Sequence, residues 1–501
     1  MVRPSRAIPM LVVLACATGA AGRVRAAGDA CTPASGPIFT TDIGLETLHV
    51  NDGWASSPPG TTGGFGAQPG NVFTVTNRAQ LVAALANITG NPPRIIYVQG
   101  TIDGNVDAAN NPLTCLDYAA GTGYTLDGYL ANPTGMEAAR AASALAQRAR
   151  MRLDVRSNTT IVGVGTTARL KGINLRIAGV SNVIVRNLTF EDAYDCFPAW
   201  DPTDGALGNW NSAYDNISIT NSGANLSSRI WIDHNAFGDG EHPDRIQPLY
   251  FGRPFQWHDG ECDITNGSDL VTVSWNRFTD HDKTMLIGGS DGAGATDRNR
   301  LRVTIHHNYF AGAGQRTPRD RFGQLHVYNN YYEVLNPASS GVIPSYQYSW
   351  GVGVESAIWA QNNAFRLRGV TPNQIIRRFN GTKIGVSGTV IDAPDNAVDV
   401  LAAYNAVNTP LLADPGWTPT LFTSMDPAAS VPALVTCVQG DVTGNGWIQC
   451  DDLSSAAGAV GTHTGEPGFR AAGDVNGDGV VDVRDLAFVS QNLPVATTCA
   501  Q

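Results

Sequence analysis

The sequence predicts an all-β solenoid, a parallel β-helix, followed by a small α-helical module at the C-terminus. Three observations carry that reading. From about residue 159, short β-rich runs recur: TIVGVG, NVIVRNLTF, NISIT, RIWIDHNAF, LVTVSWNRF, RVTIHHNYF, QLHVYNNYY and AIWAQNNAF. Recurrence at a spacing of tens of residues marks a solenoid, in which each coil gives one strand to each sheet and stacks apolar side chains inside. Several runs also share one shape: strand, Asn, aromatic. Asn187, Asn235, Asn276, Asn308, Asn330 and Asn363 read as one turn position in successive coils, where their amides can hydrogen-bond up the stack. Finally, a twelve-residue pattern occurs twice near the end, each copy followed by a helical stretch. A propeller or sandwich also collects short strands, but its tight hairpins favour Asn-Gly or Asp-Gly, whereas here Asn precedes an aromatic.

The N-terminus reads as an export signal over residues 1–27. Arg3 and Arg6 supply positive charge, Ile8 to Ala17 an apolar run, and Ala20 to Ala27 small residues for cleavage. No later run is apolar and long enough to span a bilayer, so the product is expected to be secreted, with no membrane span. Residues 28–70, rich in Gly, Pro, Ser and Thr, read as loops. FTVTNRAQLVAAL (73–85) reads as a strand end and an amphipathic helix. RIIYVQGTID (94–103) is a β-branched strand interrupted by a turn at Gly100. EAARAASALAQRAR (137–150) is the clearest helix, built of strong formers and expected outside the main body. GWTPTLF (416–422) closes the large domain, 28–436, and the Pro/Ala/Ser stretch 427–434 reads as a linker to the tail, 437–501.

A chain of 501 residues suffices for one large and one small domain. A net charge of −11 repels polyanions at long range. Any polyanion must therefore be held by a local basic cleft and a bridging cation, and nucleic acid is a poor partner. Of the eight Cys, removal of Cys16 with the signal leaves an odd number. At least one thiol stays unpaired within a monomer, while export permits disulfides among the rest.

The chemistry concentrates in residues 259–323. Asp259 and Asp263 stand four apart, Lys283 follows in HDK, and Arg316, Arg319 and Arg321 fall within six residues. Carboxylates suit a hard cation such as calcium; Lys and Arg suit an acidic substrate, Arg through its planar fork. Each residue also has a bland reading. Asp in solenoid loops commonly caps a turn, Arg319 reads as a structural ion-pair partner, and Asp233 and His234 of WIDH, with His306 and His307, read as structural members of coil turns.

In the tail, GDVTGNGWIQCDDL (440–453) and GDVNGDGVVDVRDL (473–486) follow EF-hand loop arithmetic. The second places Asp474, Asn476, Asp478, Asp482 and Asp485 at loop positions 1, 3, 5, 9 and 12, with Gly479 at position 6. The first has Asp441, Thr443, Asn445, Gln449 and Asp452, carries less charge, and is expected to bind calcium more weakly.

The words WIDH (231–234), HDG…D (258–263), DHDK (280–283), HHN (306–308), QRTPRDRFG (315–323) and HVYNNYY (326–332) resemble family 1 pectate lyases of the Bacillus type. The resemblance runs through NDGW, TTGG, TIVGVG and FPAWDPTDG, over about residues 40–430. It implies a right-handed parallel β-helix and calcium-dependent cleavage of (1→4)-α-D-galacturonan by β-elimination, giving unsaturated oligogalacturonates. On the matching positions, Arg316 is the base, and Lys283 and Arg321 bind substrate carboxylates. Asp215, Asp259 and Asp263 are calcium ligands, and Asp204 in WDPTDG helps hold further calcium against substrate. Cys262, between two of these aspartates, departs from the family pattern and is a candidate unpaired thiol. The alternatives are a pectin lyase acting on methyl-esterified polymer and a non-catalytic polysaccharide-binding β-helix. Retained calcium aspartates argue against the first, and the retained Lys283, Arg316 and Arg321 against the second. The tail resembles dockerin type I modules, which implies a cohesin-type or other cell-surface partner; loop positions 10 and 11 differ between the copies (Cys450-Asp451 and Val483-Arg484).

Overall fold

The computed structural model describes residues 42–164, 167–335, 345–435, 440–443, 448–475, 479–491, 493 and 499. The export signal, Cys16, Cys31, Cys437, Asn445, Asn476 and Asp478 lie outside the described residues.

The solenoid is a parallel β-helix. Among the described residues, ten strands from Val72–Val75 to Ile384–Ser387 stack in one sheet. Eight strands, from Arg152–Asp154 to Ile376–Arg378, form a second sheet, and nine, from Thr101–Asp103 to Val390–Ile391, a third. Neighbouring strands are parallel, as in Ser228–Asp233 beside Asp269–Ser274 and Cys262–Ile264 beside Ile217–Thr220. Alternate side chains point inward and stack coil on coil. Ile177, Ile219, Ile264 and Ile287 form one such column. Phe190, Phe237, Phe278, Phe310, Tyr332 and Phe365 form another, with successive ring centroids 4.4–5.0 Å apart. The aromatic of each repeated word is thus an interior rung.

The asparagines form the expected ladder. The Oδ1 of Asn276 accepts the backbone N–H of Asn235 at 2.9 Å; Asn308 does the same for Asn276, Asn330 for Asn308, and Asn363 for Asn330. These buried amides satisfy turn groups that water cannot reach. Asn187 is not in this register. Its backbone takes the left-handed conformation (φ 55°), as do His234, Trp275, His307, Asn329 and Asn362, the residues preceding the ladder positions. In that coil Leu188 occupies the rung and donates its N–H to Asn235. Asn tolerates a left-handed turn, so the same residue type serves two adjacent places.

Both ends are covered. The helix Arg78–Ala84, capped by Asn77, brings Leu81 and Ala84 onto the core, and the helix Val400–Asn405 brings Val400, Leu401 and Tyr404. RIIYVQGTID becomes two strands, Arg94–Val98 and Thr101–Asp103, joined through Gly100 at φ 71°. The long helix runs Pro133–Met151 on the outside, where Gln147 donates to the Tyr194 carbonyl and Arg140 to that of Phe197. A disulfide joins Cys115 to Cys196 in the same region.

The stretch read as a linker is not free chain. Residues Ala428–Ser430 form a 3-10 turn and Val431–Val435 a short helix. Ala428 and Val431 bury themselves against Tyr309, Tyr331, Ala364 and Val390. Small apolar residues of the Pro/Ala/Ser stretch dock on the outer face of the nine-stranded sheet. The tail holds two helices, Cys450–Ala457 and Val483–Gln491, over a small core that includes Val442, Ile448, Ala456, Val475 and Val489. A disulfide closes it between Cys450 and Cys499. Among the described residues no helix is long and apolar enough to cross a membrane.

Candidate active site

The site residues converge on the outer face of the eight-stranded sheet. Its strands are only two to five residues long, so each coil offers few outward positions between turns. Register places Ser218, Asp263, Leu286, Arg319, Gly351 and Arg377 in one outward column. The alternate positions, among them Ile217 and Cys262, face the core. Cys262 is a free, fully buried thiol, as its place between two outward acids requires.

Asp215 lies just before the strand Ile217–Thr220, and Asp259 and Asp263 flank the start of Cys262–Ile264. Asp215 Oδ1 accepts the Gly260 N–H at 2.9 Å and its Oδ2 accepts the Ser218 hydroxyl at 2.6 Å. Asp263 Oδ1 accepts the Leu286 N–H at 2.9 Å. Gly260 stands between them. A Cβ there would overlap the Asp263 carboxylate and come 3.1 Å from Asp215 Oδ1, so only glycine leaves the space open. Burial and mutual repulsion penalise these charges. Asp215 is pushed up to about 7 by burial and then by Asp259, and Asp263 is raised well above the usual range by burial, Asp215 and Asp259. Like charges crowded in this way suit a divalent cation, and the hard carboxylates fit calcium.

Lys283 partly answers that charge. Its Nζ lies 3.2 Å from Asp259 Oδ1 and also donates to Gln256. Arg316 follows on the next coil, its main chain in the left-handed conformation at φ 60°, uncommon for a large side chain. Its buried Nε has no hydrogen-bond partner. Burial opposes the charge of Arg316, but Asp259 and Asp263 outweigh it and raise the guanidinium above its ordinary value. Arg321 is already engaged: it donates to Asp291 Oδ1 at 2.6 Å and to the Gly288 carbonyl at 2.9 Å. Arg319, read from sequence as an ion-pair member, makes no ion pair among the described residues. Its guanidinium lies 3.9 Å from the ring centre of Phe379, and its buried Nε is unpartnered. Phe379 lies sixty residues downstream, out of reach of local sequence reading. Asp204 is exposed at the tip of the hairpin made by Ala199–Asp201 and Asn209–Asn211, where it meets Asn209 at 3.3 Å.

A family profile described as Pectate lyase matches residues 129–413. A pectate lyase of Bacillus subtilis strain 168 is 46% identical over 407 residues, covering 79% of this chain and 92% of that one. The chain belongs to the pectate lyase family. Its solved neighbours include a thermostable pectate lyase, PL 47, with a TM-score of 0.74 at 46% identity, covering 81% of this chain and 100% of that one. A pectate lyase bound to a hexasaccharide has a TM-score of 0.72 at 45% identity, covering 79% and 98%. The chain is therefore a polysaccharide lyase on a parallel β-helix. A second profile, Dockerin type I domain, matches residues 439–494.

Behind the aspartates of this pectate lyase lies a tighter group of candidate ligands, Asp239, Asp244, His258 and His281, with ligand atoms within 4.8 Å of one another. Hydrogen bonding accounts for it without an ion. His281 faces Asp239 Oδ1 at 2.6 Å through Nδ1 and the Asp259 carbonyl at 2.8 Å through Nε2. His258 faces Asp244 Oδ1 at 3.0 Å, and its other nitrogen lies 3.5 Å from Asp192. Acceptors at both nitrogens of His281 favour imidazolium. His281 is held well above its usual value by Asp239 and Glu261 against burial. The network backs the Asp259 main chain. Glu261 was missed by sequence reasoning. It is fully buried, both carboxyl oxygens lack partners, and burial pushes it up to about 8. Alternation along ECDI was the available signal.

Asp233 ends the strand Ser228–Asp233 of the ten-stranded sheet, and His234 follows in the turn. Asp233 binds Arg186 at 2.8 Å and Ser274 at 2.7 Å, with His234 at 2.6 Å. His306 pairs with Asp52 and His307 with Asp426. Asp233 and His234 bond within and between coils, and His306 and His307 tie the Asp52 and Asp426 segments to a coil turn.

In the tail, the last ligand position folds back over each loop. Asp452 accepts the Thr443 and Gln449 N–H groups, and Asp485 those of Val475 and Asp482, each at 2.7–3.0 Å. Asp474 accepts the Gly479 N–H at 2.8 Å. Burial first, then Asp441, pushes Asp452 up to about 6. Asp441 and Asp482 stand at their loop positions, Asp482 paired with Arg484 at 2.7 Å.

Proposed function

We propose that this chain cleaves (1→4)-α-D-galacturonan by calcium-dependent β-elimination in the cleft over the eight-stranded sheet. The observation that carries the reading is the convergence of Asp215, Asp259 and Asp263 around the gap at Gly260, next to Lys283 and Arg316. Calcium held by the three aspartates would supply positive charge that draws electrons from the uronate carboxylate and acidifies its C5 proton. Lys283 and Arg321 bind substrate carboxylates, and Asp204 assists with a further calcium ion against bound substrate. Arg316 takes the C5 proton; the C5–H electrons form the C4=C5 double bond, the C4–O4 bond breaks, and the departing oxygen is protonated by solvent. An arginine is a poor base while protonated. Asp259 and Asp263 favour its proton, so committing them to a divalent cation leaves burial as the dominant influence, in the direction of neutrality.

The N-terminal signal directs secretion. The dockerin domain engages a cohesin-type partner on a cell surface or scaffold, through calcium loops formed by Asp441, Asn445 and Asp452 and by Asp474, Asn476, Asp478, Asp482 and Asp485. Cys450, one of the positions that vary between the copies, is tied to Cys499; a partner would read the two loops differently. Incubation with polygalacturonate, with calcium or with chelator, tests the enzyme reading. Ultraviolet absorbance of the unsaturated product should grow only with calcium; a reducing-end increase without that absorbance would indicate hydrolysis and overturn it.

A further inference from the structure

Arg377 continues the outward column two strands beyond Arg319, with Gly351 between them. At the strand spacing of about 4.8 Å, this places the two positions about 10 Å apart along the solenoid axis. Gly351 leaves the intermediate position empty for a reason. A Cβ there would lie 2.8 Å from the Tyr348 ring and 3.0 Å from Arg319 Cγ. Phe379 then serves as a shared platform, 3.9 Å from the Arg319 guanidinium and 5.1 Å from that of Arg377. Gln347 accepts from Arg377 at 3.2 Å. Two planar cations are thus held on one aromatic ring, and among the described residues no carboxylate pairs with Arg319 or Arg377. Stacking fixes the orientation of a guanidinium while leaving its N–H edge for an anion.

We propose that Arg319 and Arg377, on Phe379, form a further carboxylate-binding position of the cleft for a galacturonate unit beyond those bound at Lys283 and Arg321. The inference rests on the galacturonan reading above. The step between stacked strands is close to the length of one 4-linked pyranose unit. A polymer lying along the column therefore presents carboxylates at the pitch at which the sheet presents cations. Arg319 is held down at about 10 by burial and by Arg321, with Arg316 adding to the crowding; an arriving carboxylate relieves that repulsion. Arg377 is exposed and can meet a flexible chain at the cleft end.

The test is steady-state kinetics of R377Q and R319Q with calcium, on galacturonate oligomers from trimer to hexamer and on polygalacturonate. KM should rise about three- to tenfold on the longest substrates, the scale of one partly exposed charge-assisted contact. The rise should grow with chain length, and R377K should recover part of it. Thermal melting of R377Q confirms folding, since its side chain is on the surface. An equal effect on trimer and hexamer, or no effect on either, would overturn the proposal while leaving the lyase reading intact. A wild-type chain that forms no unsaturated product from any substrate would overturn both.

Discussion

Lys283 Nζ stands 3.2 Å from Asp259 Oδ1, so a cation proposed to grip substrate is held by a proposed calcium ligand. Calcium and Lys283 therefore compete for one oxygen, and loading the metal would release the ammonium toward the cleft. Asp259→Ala should raise the calcium concentration needed for half-maximal activity about tenfold or more, through loss of a hard ligand. A calcium titration of product absorbance checks this; wild-type dependence in both Asp259→Ala and Asp263→Ala would place the metal elsewhere.

Gly260→Ala should act on the same titration without removing any ligand. The methyl group would press on Asp263 and crowd Asp215, so the calcium requirement should rise about tenfold or more. An unchanged requirement in a folded variant would mean that the gap is not the metal site.

Arg316→Lys should lose roughly a hundredfold or more in kcat, the scale of a positioned proton-transfer group, with KM for polygalacturonate changing far less. Lysine keeps the charge but not the planar fork or its reach. Near-normal turnover would remove Arg316 from the reaction.

Asp320 offers a pH test away from the metal. It is buried, accepts N–H groups from Gly323 at 3.1 Å and Ala357 at 3.3 Å, and is pushed up to about 7 by burial. Its unfolded value is near 4. The folded chain therefore keeps this proton where the unfolded chain has lost it. The contribution to stability is full below about pH 4, and it declines as pH rises to about 7. In Asp320→Asn that decline should vanish, so the variant's Tm relative to wild type should improve between pH 5 and pH 8. An equal Tm difference at both pH values would contradict it.

A chain ending near Thr436 should keep lyase activity, because every proposed cleft residue lies between 204 and 379 and the segment to Val435 docks on the solenoid. The tail has its own small core, and a core of that size is expected to depend on metal in its loops. Calorimetry of the full chain should show a chelator-sensitive transition that the short form lacks. A single shared transition, or an inactive short form that is otherwise folded, would mean that the tail belongs to the catalytic unit.

What sequence could show was what repeats or stands in a dense local word. The interior aromatics, the Asn ladder from Asn235 to Asn363 and the helix at 133–151 were legible because period and propensity act locally. Asn187 was misplaced by one residue because Asn suits both the left-handed turn and the rung beside it. The cluster from Asp259 to Arg321 was legible as a charge pattern. Which arginine is already neutralised was not: Asp291 claims Arg321 and Phe379 claims Arg319, and both depend on coil stacking. Glu261 was passed over because nothing in its neighbours reveals that its carboxyl has no partner. The stretch 427–434 was read as linker because its composition, Pro, Ala and Ser with few large apolar side chains, does not show what it packs against.

The asparagine ladder has a bearing on the cleft at the opposite side of the same coils. The strands carrying the site, Cys262–Ile264, Leu286–Ile287 and Arg319–Asp320, have three, two and two residues. So few backbone bonds would hold their register weakly. In the same three coils, Asn276, Asn308 and Asn330 are bonded rung to rung. The ladder thus works as a ruler graduated in coils. It sets the offset between the aspartates of one coil and the basic residues of the next two, and allows only whole steps. Loops of any length can be inserted above the cleft without altering that offset, whereas a change of one residue in an asparagine turn would shift it for every coil that follows.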